Sequence, residues 1–234
     1  MSTLSSADCA VSVTRPVKRR LSSATPIRTP YAEIVFNRPA TVAVVPIRSF
    51  TGAKHRLSDA LDATGRERLS RWTANNVLDA LDGFDVLVVT DDEVVASWAR
   101  TRMCDVLSPG APGLNKAAAA ARTRLTGDGV DRMALIHSDL ALPRSLPAAL
   151  SQTGAVIVPD LSADGTNVLV LPVNSQVQFG YGPGSFRRHL DRCLADTSVG
   201  SIVIHRDRRL GLDLDTAIDL RHPLVANLIE EVVT

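Results

Sequence analysis

Long apolar runs, paired cysteines, aromatic side chains and lysine are all scarce in this 234-residue chain, and each scarcity removes a class of protein. No window reaches the roughly 18 uninterrupted apolar residues that a membrane-spanning helix requires, and the N-terminus lacks the apolar stretch of a secretory leader. The three cysteines, Cys9, Cys104 and Cys193, are odd in number and far apart, without CxxC or Cys/His spacing. That argues against a disulfide framework or a zinc site and for a reduced, cytoplasmic setting. Aromatics make up 4% of the chain and the net charge is +1, so neither a nucleic-acid surface nor a membrane surface is expected as partner. The five histidines show no HxxxH or HExxH spacing and no GxSxG elbow accompanies them, which leaves them structural or surface roles.

What is present suits a folded enzyme-sized domain: 45% hydrophobic and 22% charged residues close a core comfortably. The near-neutral charge is a sum of unlike parts. Residues 1–40 hold six basic against two acidic groups, ten Ser/Thr and four prolines, and read as a mobile basic tail. Such a tail serves as a plain extension, an organellar address or a weak anion-binding arm. Only Lys18, Lys54 and Lys116 are lysines among 26 basic residues, so a lysine inside a motif carries extra information.

Residues 41–234 read as one domain in which apolar, β-branched runs alternate with amphipathic stretches. Strands are expected at 42–47, 85–90, 104–107, 132–137, 155–159, 167–171, 201–205 and 210–214. Helices are expected from Ser58 to Leu81, after Asp91-Asp92 to Arg102, over 116–125 and 186–194, and from Thr216 onward. The alternation specifies an α/β sandwich with a mainly parallel sheet.

In such sheets ligands sit beyond the carboxyl ends of the strands, so polar residues just after strand-like runs are the candidates. The segment after the first strand carries Arg48, Lys54 and Arg56 around Gly52, a composition suited to polyphosphate oxygens or simply a solvated basic loop. It has neither GxxxxGK[ST] nor GxGxxG spacing. Asp139 ends the fourth strand, while Asp213 and Asp215 flank the end of the last, on one side of it if the strand continues. Carboxylates from separate strand ends suit a Mg²⁺ ion that also takes phosphate oxygens, although each alone could be a helix cap. The glycine-rich stretches 164–167 and 179–186 offer close backbone approach with Thr166 and Ser185 hydroxyls, and Ser185 could cap the following helix.

Together these segments resemble one family, the guanylyltransferases of deazaflavin coenzyme F-420 biosynthesis. The resemblance runs in order through VPIRSFTGAKHRLS at 45–58, VTDD at 89–92, GLNKA at 113–117, HSDLALP at 137–143, PDLSADGTNVL at 159–169, FGYGPGSFRRH at 179–189 and GLDLDTAIDL at 211–220. It implies a three-layer α/β sandwich of the GT-A-like, Rossmann-like nucleotidyltransferase kind. It also implies transfer of GMP from GTP to a three-carbon phospho-acid with release of pyrophosphate. The acceptor would be phosphoenolpyruvate in first place, 2-phospho-L-lactate next and 3-phosphoglycerate as an alternative, with the product passed to a deazaflavin transferase. By the same resemblance Asp139 and Asp215 would hold Mg²⁺, and Thr166, Gly182 and Ser185 would bind the acid. Arg48, Lys54 and Arg56 would face the GTP phosphates, Lys54 among the catalytic groups, with Asn115 near the nucleoside. Arg48 stands where the family commonly has lysine, DLALP replaces the usual DLP, and the tail has no counterpart. The related molybdopterin and sugar-phosphate transferases open on LAGGxSxRxG, absent here. A non-catalytic nucleotide-binding module of the same fold is the alternative from another class, and the oligomeric state is left open.

Overall fold

The computed structural model describes residues 41–233; the basic tail at 1–40 lies outside them. Seven strands form one sheet: β1 (Thr41–Pro46), β2 (Asp85–Val89), β3 (Asp105–Leu107), β4 (Arg132–Ile136), β5 (Ala155–Pro159), β6 (Thr166–Pro172) and β7 (Ile202–Ile204), in the order β3-β2-β1-β4-β6-β5-β7. Only β6 runs antiparallel to its neighbours, β4 and β5. The helices are α1 (Ala63–Ala80), α2 (Glu93–Thr101), α3 (Leu114–Gly127), α4 (Leu146–Leu150), α5 (Ser185–Ala195), α6 (Ala217–Leu220) and α7 (Ala226–Val233).

The expected three-layer sandwich is present, and its strands are continuously apolar because both faces are covered. In β1, Ala43 and Val45 join the cluster with Val77, Leu78 and Leu146 from α1 and α4, while Val42 and Val44 meet Ala118, Ala121 and Leu125 of α3. Each buried valine or leucine among them contributes roughly 1.5–3 kcal/mol on burial, and each alanine less. Among the described residues no helix is long and apolar enough to cross a membrane.

Three boundaries differ from the sequence reading. The first helix begins at Ala63, not at Ser58, because Asp62 is the residue whose carboxylate accepts from Gly65 N–H at 2.6 Å; residues 55–57 make only a 3₁₀ turn that buries Leu57. Residues 210–214 are not a sheet strand. Leu210, Leu212 and Leu214 are buried in strand-like alternation, but the segment makes a single bridge, Asp213 to Leu140, and packs on α1 and α7. The C-terminal helix is broken at 221–225 into α6 and α7.

Gly154, before β5, shows how tightly the sheet's far edge is set. Its φ is +77° and a Cβ there would lie 2.1 Å from the Ser201 carbonyl oxygen, which already accepts from Ala155 N–H at 2.8 Å. Gly154→Ala is therefore expected to cost about 3 kcal/mol, lowering the melting temperature by ~10 °C. An unchanged thermal melt would mean that β7 docks differently.

Candidate active site

Strand order reverses between β1 and β4: the chain leaves β1 toward β2 on one side, and β4 is added on the other. That switch point splays the loops after the two strands and opens a crevice between them. Here it is a cleft of about 570 Å³, lined among others by Arg48, Ser49, Gly52, Lys54, Ser138, Asp139 and Asp215.

One further pairing closes the site's floor. Leu214 N–H donates to Asp139 O at 3.2 Å and Ala141 N–H to Leu212 O at 3.2 Å, so 139–141 and 212–214 run side by side. As a result one carboxylate oxygen from each of Asp139, Asp213 and Asp215 lies within 4.8 Å of the others. Asp213 thus belongs with Asp139 and Asp215, a grouping the spacing left conditional. Asp219 accepts from the N–H groups of Asp215 and Thr216 at 3.1 and 2.6 Å, fixing the backbone under the cluster. The Thr216-x-x-Asp219 spacing of a capping box was the available signal.

Lys54 answers this charge. Its side chain is 5% exposed, and Nζ donates to Leu214 O at 2.8 Å while lying 3.7 Å from Asp139 and 4.0 Å from Asp215. To reach in, Lys54 adopts a left-handed backbone, φ 55°, which costs a non-glycine residue ~1 kcal/mol. Burial is the largest single influence and works to raise the Asp139 carboxyl, but the Lys54 ammonium, His137 and hydrogen bonds to the carboxylate together outweigh it and hold Asp139 below the ordinary carboxylate range. Burial, and next Asp139, raise Asp215 despite Lys54 and Arg56; burial, Asp139 and Asp215 push Asp213 up to about 7. Arg56 is exposed and 3.9 Å from Asp215.

Three crowded carboxylates with one buried cation are short of positive charge, and Asp139 Oδ1 is buried without a hydrogen-bond partner among the described residues. An all-oxygen donor set of this kind fits a hard divalent cation such as Mg²⁺.

The second group of expected residues, Thr166, Gly182 and Ser185, lies outside the residues that line this cleft. Thr166 opens β6 and Ser185 opens α5; both are buried, while Gly182 is exposed with φ +119°. Gly184, with φ +72°, is the N-cap of α5, so Ser185 is not the cap its position suggested. Asn115 does not line the cleft. Its amide is taken by the Tyr181 backbone, accepting from N–H at 2.7 Å and donating to C=O at 3.3 Å, so it ties α3 to the glycine-rich loop.

A mainly parallel sheet with acidic residues and a basic loop at its switch point defines a nucleotidyltransferase-class fold. Solved structures agree on the fold. A nucleotidyl transferase from Methanothermobacter thermautotroptrophicus superposes with a TM-score of 0.54 at 14% identity, covering 82% of this chain and 99% of that one. The 4-diphosphocytidyl-2C-methyl-D-erythritolsynthase from Anaerococcus prevotii gives 0.52 at 10% identity, covering 81% and 98%.

Within that class the chain belongs to the guanylyl transferase CofC-like family, whose model matches residues 41–226. It is 36% identical over 187 residues to a phosphoenolpyruvate guanylyltransferase of Rubrobacter xylanophilus, covering 76% of this chain and 90% of the relative. It is 25% identical over 182 residues to a 2-phospho-L-lactate guanylyltransferase of a Methanocaldococcus species, covering 76% and 78%. The chain is therefore a guanylyltransferase-family enzyme.

Proposed function

We propose that this protein joins GMP from GTP to the phosphate of phosphoenolpyruvate, releasing pyrophosphate, as a step of deazaflavin coenzyme F-420 biosynthesis in the cytoplasm. The observation that carries this reading is the carboxylate cluster facing the basic 48–56 loop across one cleft, in a chain of guanylyltransferase ancestry. Phosphoenolpyruvate is preferred over 2-phospho-L-lactate because the relative named for it is the more similar, at 36% against 25% identity.

Asp139 and Asp215, with Asp213 beside them, would hold Mg²⁺, which when bound offsets negative charge on the phosphate oxygens. The chain's own cations do the rest. Lys54 is locked at the cluster and meets the reacting phosphate, and Arg48 on the cleft lining and Arg56 beside Asp215 receive the departing pyrophosphate. A phosphate oxygen of the acid attacks the α-phosphorus of GTP. One P–O bond forms, the bond to the β-phosphate bridge breaks, and pyrophosphate leaves. The attacking phosphate is ionised at neutral pH, so no side chain has to remove a proton from it. Thr166, Gly182 and Ser185 hold the acid, and the Asn115 clamp on Tyr181 keeps their loop in place.

Pyrophosphate release from GTP and Mg²⁺, measured with each acid separately, tests the reading. Release is expected with phosphoenolpyruvate and at most slowly with 2-phospho-L-lactate or 3-phosphoglycerate. GTP binding without release in any of the three would make the protein a non-catalytic nucleotide-binding module instead.

A further inference from the structure

Read from sequence as merely structural, His189 occupies a defined place behind Thr166. It is fully buried on α5, one turn after Ser185, and both of its ring nitrogens are engaged. Nε2 lies 3.0 Å from the backbone nitrogen of Gly180, and Nδ1 lies 3.0 Å from Thr166 Oγ1. A backbone N–H can only donate, so Nε2 must be the unprotonated acceptor. In the neutral ring the single proton then sits on Nδ1, where it can only donate to the Thr166 oxygen. Burial, with Arg192 and Arg188 on the same helix, drives the imidazole pKa down to about 4, so the ring stays neutral at working pH.

The consequence falls on Thr166. Its oxygen is occupied as an acceptor, and its own O–H has no acceptor among the described residues. The hydroxyl is thereby set as a donor with its proton left over. Two neighbouring groups share that unspent capacity. The Tyr181 ring lies 4.7 Å from His189 and 5.4 Å from His137, and both the Tyr181 hydroxyl and His137 Nε2 are buried without partners. Unused buried polar groups gathered around one ring mark a place built for a polar ligand.

We propose that His189 is a positioning residue for acceptor specificity: it fixes the Thr166 hydroxyl as a hydrogen-bond donor to the anionic phospho-acid and, through Gly180, holds the glycine-rich loop over it. Gly180 packs directly on the arginines of α5: a Cβ there would meet the Arg188 and Arg192 side chains, and Arg192 Nη1 donates to the neighbouring Gln178 carbonyl at 2.9 Å. His189 acts through Thr166 and the loop and does not itself touch the acid. The proposal rests on the reading of Thr166 as an acid-binding residue.

The test is a set of steady-state comparisons with the full chain, phosphoenolpyruvate and GTP. His189→Phe removes both contacts, His189→Asn keeps a donor near the Nδ1 position, and Thr166→Val removes the hydroxyl. Thr166→Val and His189→Phe are each expected to raise the KM for the acid roughly ten- to a hundred-fold, the worth of one hydrogen bond to a charged group, with the KM for GTP unchanged. His189→Asn is expected to recover most of that loss. In the Thr166→Val background, His189→Phe should cost no more than a few-fold further.

Equal rises in both KM values, no rescue by asparagine, or full additivity with Thr166→Val would overturn the positioning role. Should His189→Phe fail to fold, His189→Gln, which offers a polar atom near Nε2 only, takes its place and is expected to show the same loss. An unchanged acid KM in Thr166→Val alone would instead overturn the assignment of Thr166 on which the proposal rests.

Discussion

Asp139→Asn is expected to lower guanylyl transfer on the order of a thousand-fold while leaving a folded protein, a loss matching the several kcal/mol that metal-assisted charge stabilisation supplies. The fold survives because Lys54 keeps Asp215 at 4.0 Å and Leu214 O at 2.8 Å, so the buried ammonium is not left alone. Asp215→Asn should behave alike, and the double variant should be little worse than either single one, since residues that act as a unit do not add. Activity within tenfold of the parent in Asp139→Asn, with a normal thermal melt, would remove the cluster from the chemistry.

The second large effect is on stability. Asp213 has its carboxyl pushed up to about 7 by burial, Asp139 and Asp215, against 3.8 in the unfolded chain. Between those values the folded protein binds the extra proton. Metal-free stability should therefore fall as pH rises from about 4 to 7, and the cost is fully present above 7. A shift of that size corresponds to at most ~4 kcal/mol. Asp215 is raised and acts in the same sense; Asp139 is lowered, and its contribution is lost as pH falls. Asp213→Asn should flatten the profile and add about 2 kcal/mol above pH 7 in chelator, raising the melting temperature by several degrees. Mg²⁺ should stabilise the parent in the same conditions. Melting curves of variant and parent that run parallel from pH 4 to 8 would show that the three carboxylates do not interact as described.

These two expectations depend on parts of the structure that differed in how far the sequence revealed them. The strands through Val42–Val45 and Val86–Val89 were legible because burial on both faces leaves an unbroken apolar run. Asp139 was legible for the same reason, as the polar residue that ends such a run. The stretch 210–214 misled because alternate leucines bury equally well against helices, and its partner at 139–141 is remote in sequence. The engagement of the Asn115 amide by Tyr181, 66 residues away, was not legible because no local pattern records that contact. The start of α1 was misplaced because Ser58 is itself a competent cap residue, and only the geometry at Gly65 decides for Asp62. His189 gave no signal at all, since a single histidine on an amphipathic helix looks like core.

The most direct test of guanylyl transfer at this cluster is the mass of the product formed when GTP and Mg²⁺ are offered with phosphoenolpyruvate, 2-phospho-L-lactate and 3-phosphoglycerate in equal amounts. A single dominant species with the mass of GMP joined to phosphoenolpyruvate through a diphosphate, absent with Asp139→Asn, is the predicted result. GTP recovered intact, or a product carrying none of the three acids, would contradict it.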